Sequence, residues 1–160
     1  MSNQVQDLID EAIKLELNMS NLYSIFNEYI QEEKAFWYRI SIEEKNHAAL
    51  LKTAKDFIRF NKFPRGLLPD NLELLKGSNK KVKDMIDRFI FNPDRVLAFE
   101  MAVEMEKTAG EIHFQLFMEK KVNNNINDIF QRLNQADKDH AQRIEKYWHE
   151  VLPDNPGSEL

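Results

Sequence analysis

Proline stands at only five positions of this 160-residue chain, Pro64, Pro69, Pro93, Pro153 and Pro156. Proline breaks a helix interior by removing a donor and clashing with the preceding turn, so long proline-free runs mark where helices can extend. Only 4 glycines and these prolines punctuate the chain, and with turns near residues 30–31 and 121–124 they leave four long segments, at about 3–29, 32–60, 93–120 and 125–151, that predict four long helices. Asn92–Pro93 suits a helix start with Pro93 in its first position, and "VNNNIND" supplies turn and capping residues before the last helix. The first two helices join tightly near "IQEE" and the last two near "VNNN". Residues 61–92 form a crossover with a short helix expected over "KKVKDMIDRFI", residues 80–90, and 153–160 reads as a loose tail.

Two hairpins joined by a long connection predict an all-α, ferritin-like four-helix bundle rather than a simple up-down one, as a single domain over residues 1–152. A helix of about 28 residues is ~42 Å long, a distance that a crossover of this size can retrace. There is no cysteine, which excludes disulfides, thiolate metal sites, iron–sulfur clusters and cysteine nucleophiles. The excess of 27 acidic over 22 basic residues leaves no concentrated basic tract beyond "KGSNKKVK", so neither nucleic acid nor anionic lipid is expected as a partner. The polar, acidic N-terminus lacks the features of a secretion signal, and no run is apolar enough to span a bilayer. A cytoplasmic protein is expected.

Each run carries an apolar stripe at alternating steps of three and four, and each stripe is interrupted by an acid. In the first, Ala12, Glu16, Met19 and Tyr23 follow one another; in the second, Ile40, Glu44, His47 and Leu51; in the third, Ala102, Glu106, Ala109 and His113; in the fourth, Leu133, Asp137, His140 and Ile144. A stripe with this spacing faces the core, so the acids point inward, where an unpaired charge is costly. Glu16 and Glu44 lie about 14 residues on either side of the first turn, which brings them to one depth in an antiparallel hairpin. Glu106 and Asp137 flank the second turn in nearly the same way. Composition alone would supply about 0.7 acid-x-x-His pairs, so that spacing is weak by itself. Two such pairs on core stripes, each matched by an inward glutamate at the same depth, point to a metal site, with a polar core network as the competing reading.

Four carboxylates and two neutral imidazoles bring a charge of about −4 and hard-to-borderline ligands, suited to two iron or manganese ions. A single zinc takes fewer carboxylates, and calcium does not call for imidazole. The expected ligands are Glu16, Glu44, His47, Glu106, Asp137 and His140. Tyr23 and His113 are candidates to support them from behind. Met19, Met101 and Met105 read as core filling, and Glu43, Glu104, Glu145 and His149 as solvated.

These residues resemble the rubrerythrin-like branch of the ferritin-like di-iron carboxylate proteins, whose pattern is Glu, Glu-x-x-His, Glu, Glu-x-x-His on four successive helices. The two halves of the chain are also similar to each other: "AIKLELNMSNLYSIF" matches "AVEMEKTAGEIHFQL", and "EEKNHAALLK" matches "ADKDHAQRIE". Tyr23 corresponds to the family tyrosine that follows the first-helix glutamate. Three positions depart from the pattern. Asp137 replaces the fourth glutamate, Ala109 stands where rubrerythrins carry an extra glutamate, and a chain without cysteine has no rubredoxin domain. The resemblance implies an oxidoreductase whose reduced di-iron centre reacts with O2 or hydrogen peroxide, with electrons from a separate donor protein. Manganese or a mixed pair is the alternative cofactor, and a homodimer is expected. A di-iron hydroxylase or oxygenase, and a non-enzymatic metal-binding or storage bundle, remain as alternative functions.

Overall fold

The computed structural model describes residues 3–60, 72–117 and 125–153, and all secondary structure among them is helical. The helices are α1 (Asn3–Tyr29), α2 (Lys34–Phe60), α3 (Leu72–Phe91), α4 (Arg95–Phe117) and α5 (Asn125–Val151). None is long and apolar enough to cross a membrane. α1 packs along α2 and α3, α4 packs along α5, and lighter contacts join α2 to α5, α3 to α4 and α1 to α4.

The helix directions follow from which residues meet. Glu16 of α1 reaches His47 of α2 across a short turn, so these two helices are antiparallel. Asn79 of α3 bonds to Glu11 while Phe89 packs on Phe26, so α3 runs parallel to α1. Tyr23 meets Glu106 and Glu33 meets Arg95, which sets α4 antiparallel to α1. His140 meets Glu44 and Tyr147 meets Phe36, which sets α5 antiparallel to α2.

α3 is longer than the short helix expected over 80–90. Gly77, Ser78 and Asn79 precede that span, yet all three are helical. Gly77 is exposed with nothing within 4 Å of where a Cβ would lie. Asn79 is buried, but its amide nitrogen donates to the Glu11 carbonyl (3.0 Å) and carboxylate (2.8 Å), and its oxygen accepts from Asn18 (2.7 Å). A satisfied amide is tolerated in a core where an unpaired one would be expelled. Leu75, Val82, Met85 and Phe89 complete the buried face.

The start of α4 differs from expectation by two residues. Asp94 is its cap, accepting the Leu97 amide at 2.9 Å, and Pro93 lies just outside. At the other tight turn the buried carboxylate of Glu33 pairs with both Arg95 Nε and Nη2, tying the α1–α2 connection to the start of α4. The stripes of α1, α2 and α4 are buried wherever their side chains are described, acids included, as are His140 and Ile144 of α5. An aromatic cluster of Tyr23, Phe26, Trp37, Phe89, Phe99 and Trp148 occupies the core between the turns and the acids.

Candidate metal centre

Glu44 lies at the centre of the buried polar layer. It is one helical turn before His47 on α2, and the antiparallel crossing of α5 brings His140 to its other side. Glu44 Oε2 is 3.1 Å from His47 Nδ1, and Oε1 is 2.7 Å from His140 Nδ1. Each imidazole has a second carboxylate neighbour: Glu16 Oε2 is 3.4 Å from His47 Nδ1, and Glu106 Oε2 is 3.8 Å from His140 Nδ1. The two rings stack 18° from parallel with centroids 5.1 Å apart. All five residues are buried. The layer thus has two similar halves, Glu16 with His47 and Glu106 with His140, sharing one carboxylate.

One ligand atom from each of Glu44, His47 and His140 lies within 4.8 Å of the others, a spacing that could hold a metal ion. Glu44 Oε1 and His140 Nδ1 are 2.7 Å apart, and neither atom has an aligned hydrogen-bond partner among the described residues. Two converging buried ligand atoms of this kind are what a cation would satisfy, and carboxylate with imidazole suits iron, manganese or zinc.

Electrostatics describe how the metal-free layer is balanced. Burial would lower the pKa of His47, but Glu16 and Glu44 outweigh it and push it up to about 11. Burial likewise works against a charged His140, and the neighbouring Glu44 raises its pKa in spite of opposing His47 and Arg143. Burial would raise the carboxyl of Glu44, but contact with His140 and His47 holds it well below the carboxylate range. Protons on the imidazoles therefore neutralise the carboxylates, and a bound cation would displace them.

Glu43 is where the expectation of a solvated residue fails. It sits just off the α2 stripe, yet its carboxylate lies 2.7 Å from His140 Nε2 and pairs with both Nη atoms of Arg143. Burial would raise its pKa, but Arg143 and His140 bring it down to about 2. An ionised carboxylate only accepts, so His140 Nε2 carries the hydrogen and Nδ1 is the atom turned to the site. Acid-x-x-His spacing gives no sign of this contact, because it is made between helices.

Tyr23 donates to Glu106 Oε1 at 2.5 Å, from a fully buried position. The side chains of Asp137, His113 and Ala109 lie outside the described residues. Glu104 and Glu145 are in exposed ion pairs with Lys81 and Lys107, and His149 is exposed. Met19, Met101 and Met105 are buried.

Fold and site together define an all-helical protein with a buried glutamate–histidine cluster able to hold metal. Comparison with family models, characterised proteins and solved structures gives no match to this chain.

Proposed function

We propose that this chain is a ferritin-like di-metal protein similar to the rubrerythrin group, working in the cytoplasm as an oxidoreductase that consumes O2 or hydrogen peroxide. The observation that carries the reading is the placement of Glu44, one oxygen towards each imidazole, with a further glutamate beside each. A carboxylate shared by two histidine–glutamate halves suits a pair of cations better than one. The up, down, down, up order of α1, α2, α4 and α5, with α3 retracing the length between the pairs, supports the ferritin-like reading.

In this reading Glu16, Glu44, His47, Glu106, Asp137 and His140 would hold two cations, with His47 and His140 anchoring one each. Iron bound there in its reduced state would supply redox chemistry towards O2 or peroxide. The chain's own groups do the rest. Glu43 and Arg143 fix the ring of His140, Tyr23 holds Glu106 in place by a hydrogen bond, and the surrounding apolar core limits access of bulk water. Without cysteine, the chain relies on a separate donor to restore the reduced state. A homodimer is the assembly this reading includes.

The test is metal analysis followed by stopped-flow oxidation. Protein reconstituted with ferrous iron should hold about two ions per chain, and Glu44→Ala and His47→Ala should bind far less. Mixing the anaerobically reduced sample with O2 or peroxide should oxidise it in a single turnover. One equivalent of metal, or binding unchanged in these variants, removes the di-metal assignment. Two irons that react with neither oxidant leave a storage or structural bundle, and oxidation coupled to hydroxylation of an organic compound would establish an oxygenase.

A further inference from the structure

From the site towards the surface runs a connected series of aromatic rings. Tyr23, hydrogen-bonded to Glu106, stacks on Trp37 with centroids 5.9 Å apart and planes 16° from parallel. Trp37 meets the ring of Phe36 edge-on at 5.0 Å, and Phe36 stacks on Tyr147 at 4.2 Å and 13°. Tyr23 and Trp37 are fully buried, whereas Phe36 and Tyr147 are partly exposed. Hydrophobic packing accounts for the burial of these rings. It does not call for two phenols and an indole in this order.

Phenol and indole are among the side chains that most readily lose one electron, and the chain contains no thiol to compete. The polar atoms of the series differ in a way that matters for such a loss. The Tyr23 hydroxyl already points its proton at a carboxylate. Trp37 Nε1 is buried with no partner among the described residues, so an oxidised indole there retains its proton and remains a strong oxidant. Tyr147, at the outer end, can release its proton to water.

We propose that Tyr23, Trp37, Phe36 and Tyr147 form a one-electron path by which a small organic reductant at the surface, of the phenol or enediol class, delivers electrons to the buried carboxylate–histidine site. The proposal rests on the oxidoreductase reading above, with hydrogen peroxide as the oxidant. Tyr23 yields an electron to the site and its phenolic proton to Glu106. Trp37 returns an electron to the phenoxyl, which recovers that proton, and the hole passes to the indole. Tyr147 then gives an electron across the Phe36 ring, which is not itself oxidised, and loses its proton to water. The external donor restores Tyr147 with an electron and a proton. Two such passages supply the two electrons, and solvent the two protons, that convert one peroxide to two waters.

The path is tested first in the metal-free chain by pulse radiolysis with azide radical, which oxidises indole. Trp148→Phe with Tyr29→Phe and Tyr38→Phe leaves Trp37 as the one indole and Tyr23 and Tyr147 as the phenols. Decay of the indole radical should match growth of phenoxyl absorption, first order and independent of protein concentration. Adding Tyr23→Phe should leave this transfer in place, Tyr147→Phe on top of that should abolish it, and Phe36→Leu in its stead should slow it. The ring-for-ring changes leave the packing largely intact, Phe36→Leu keeps an apolar side chain at a partly exposed position, and circular dichroism checks each variant. Indole decay indifferent to Tyr147→Phe and Phe36→Leu overturns the proposal.

Iron-loaded protein treated with peroxide and freeze-quenched should then show a phenoxyl signal by electron paramagnetic resonance, confined to Tyr23 in Trp37→Phe. A sample whose iron is oxidised by peroxide with no aromatic radical also overturns the path. Failure to bind iron, or iron inert to peroxide, removes the site as the inner terminus and counts against the oxidoreductase reading itself, which the metal-free kinetics distinguish from failure of the ring series.

Discussion

Glu43 on α2 and His140 on α5, 97 residues apart in the chain, meet with 2.7 Å between Oε2 and Nε2. The contact orients the imidazole and leaves Nδ1 facing Glu44. Carboxylates behind a ligating histidine commonly contribute about 10-fold to 100-fold to metal affinity. Glu43→Gln keeps the shape but loses the charge, so its affinity for ferrous or manganous ion should fall within that range while the helices remain folded. Titration with a competing chelator measures it. Affinity equal to the parent would show that His140 needs no such support.

The metal-free protein should be most stable in mildly acidic solution. His47 has a raised folded pKa, about 11 against an ordinary 6.5, so its stabilising contribution is complete below 6.5 and is lost as pH rises towards 11. Glu44 has a depressed pKa, so its contribution is present above its ordinary 4.5 and is lost as pH falls. Melting temperature should therefore decline on the alkaline side because imidazolium is lost, and on the acid side because carboxylate is lost. Divalent metal should raise it most where the imidazoles would otherwise lose protons, by binding the folded state alone. Thermal melts with and without metal at several pH values decide this. Coincident curves would mean the layer is no binding site.

Arg95 is the partner of a nearly fully buried Glu33 carboxylate and is itself about one-third exposed, at 34%. Removing one partner of a buried pair costs about 3–5 kcal/mol, and the access of water to Arg95 reduces that here to about 2–3 kcal/mol. Arg95→Met should lose this much in chemical denaturation. The double variant Arg95→Met, Glu33→Gln should recover part of it by removing the stranded charge. A double variant as unstable as the sum of the singles would show that the pair is not coupled.

Gly77→Ala should stabilise the protein by up to about 1 kcal/mol, because the position is helical, exposed and open where the Cβ would project. A rise in denaturation midpoint is the expected result. A fall would show that α3 needs the flexibility of glycine at that point.

The sequence by itself determined the parts of this molecule that depend on local chain geometry. Helix limits for α1 and α5 could be read from apolar spacing and turn residues, with Pro153 closing α5. The inward set of Glu16, Glu44, His47, Glu106 and His140 could be read from acids and histidines interrupting stripes that are otherwise apolar, since residues three or four apart share one face of a helix. Tertiary structure alone decided what lies between helices. Asn79 is satisfied in its buried position by Glu11 and Asn18 of α1, partners 68 and 61 residues away, so local spacing alone gave a helix confined to 80–90. Glu43 joins the site because α5 crosses α2 where His140 and Arg143 can reach it, and Glu33 is buried because Arg95 arrives from α4. Periodicity reports which way a side chain points along its own helix. Whether a charge there is solvated or paired depends on what the neighbouring helix brings opposite, and that is set by the crossing of the two helices.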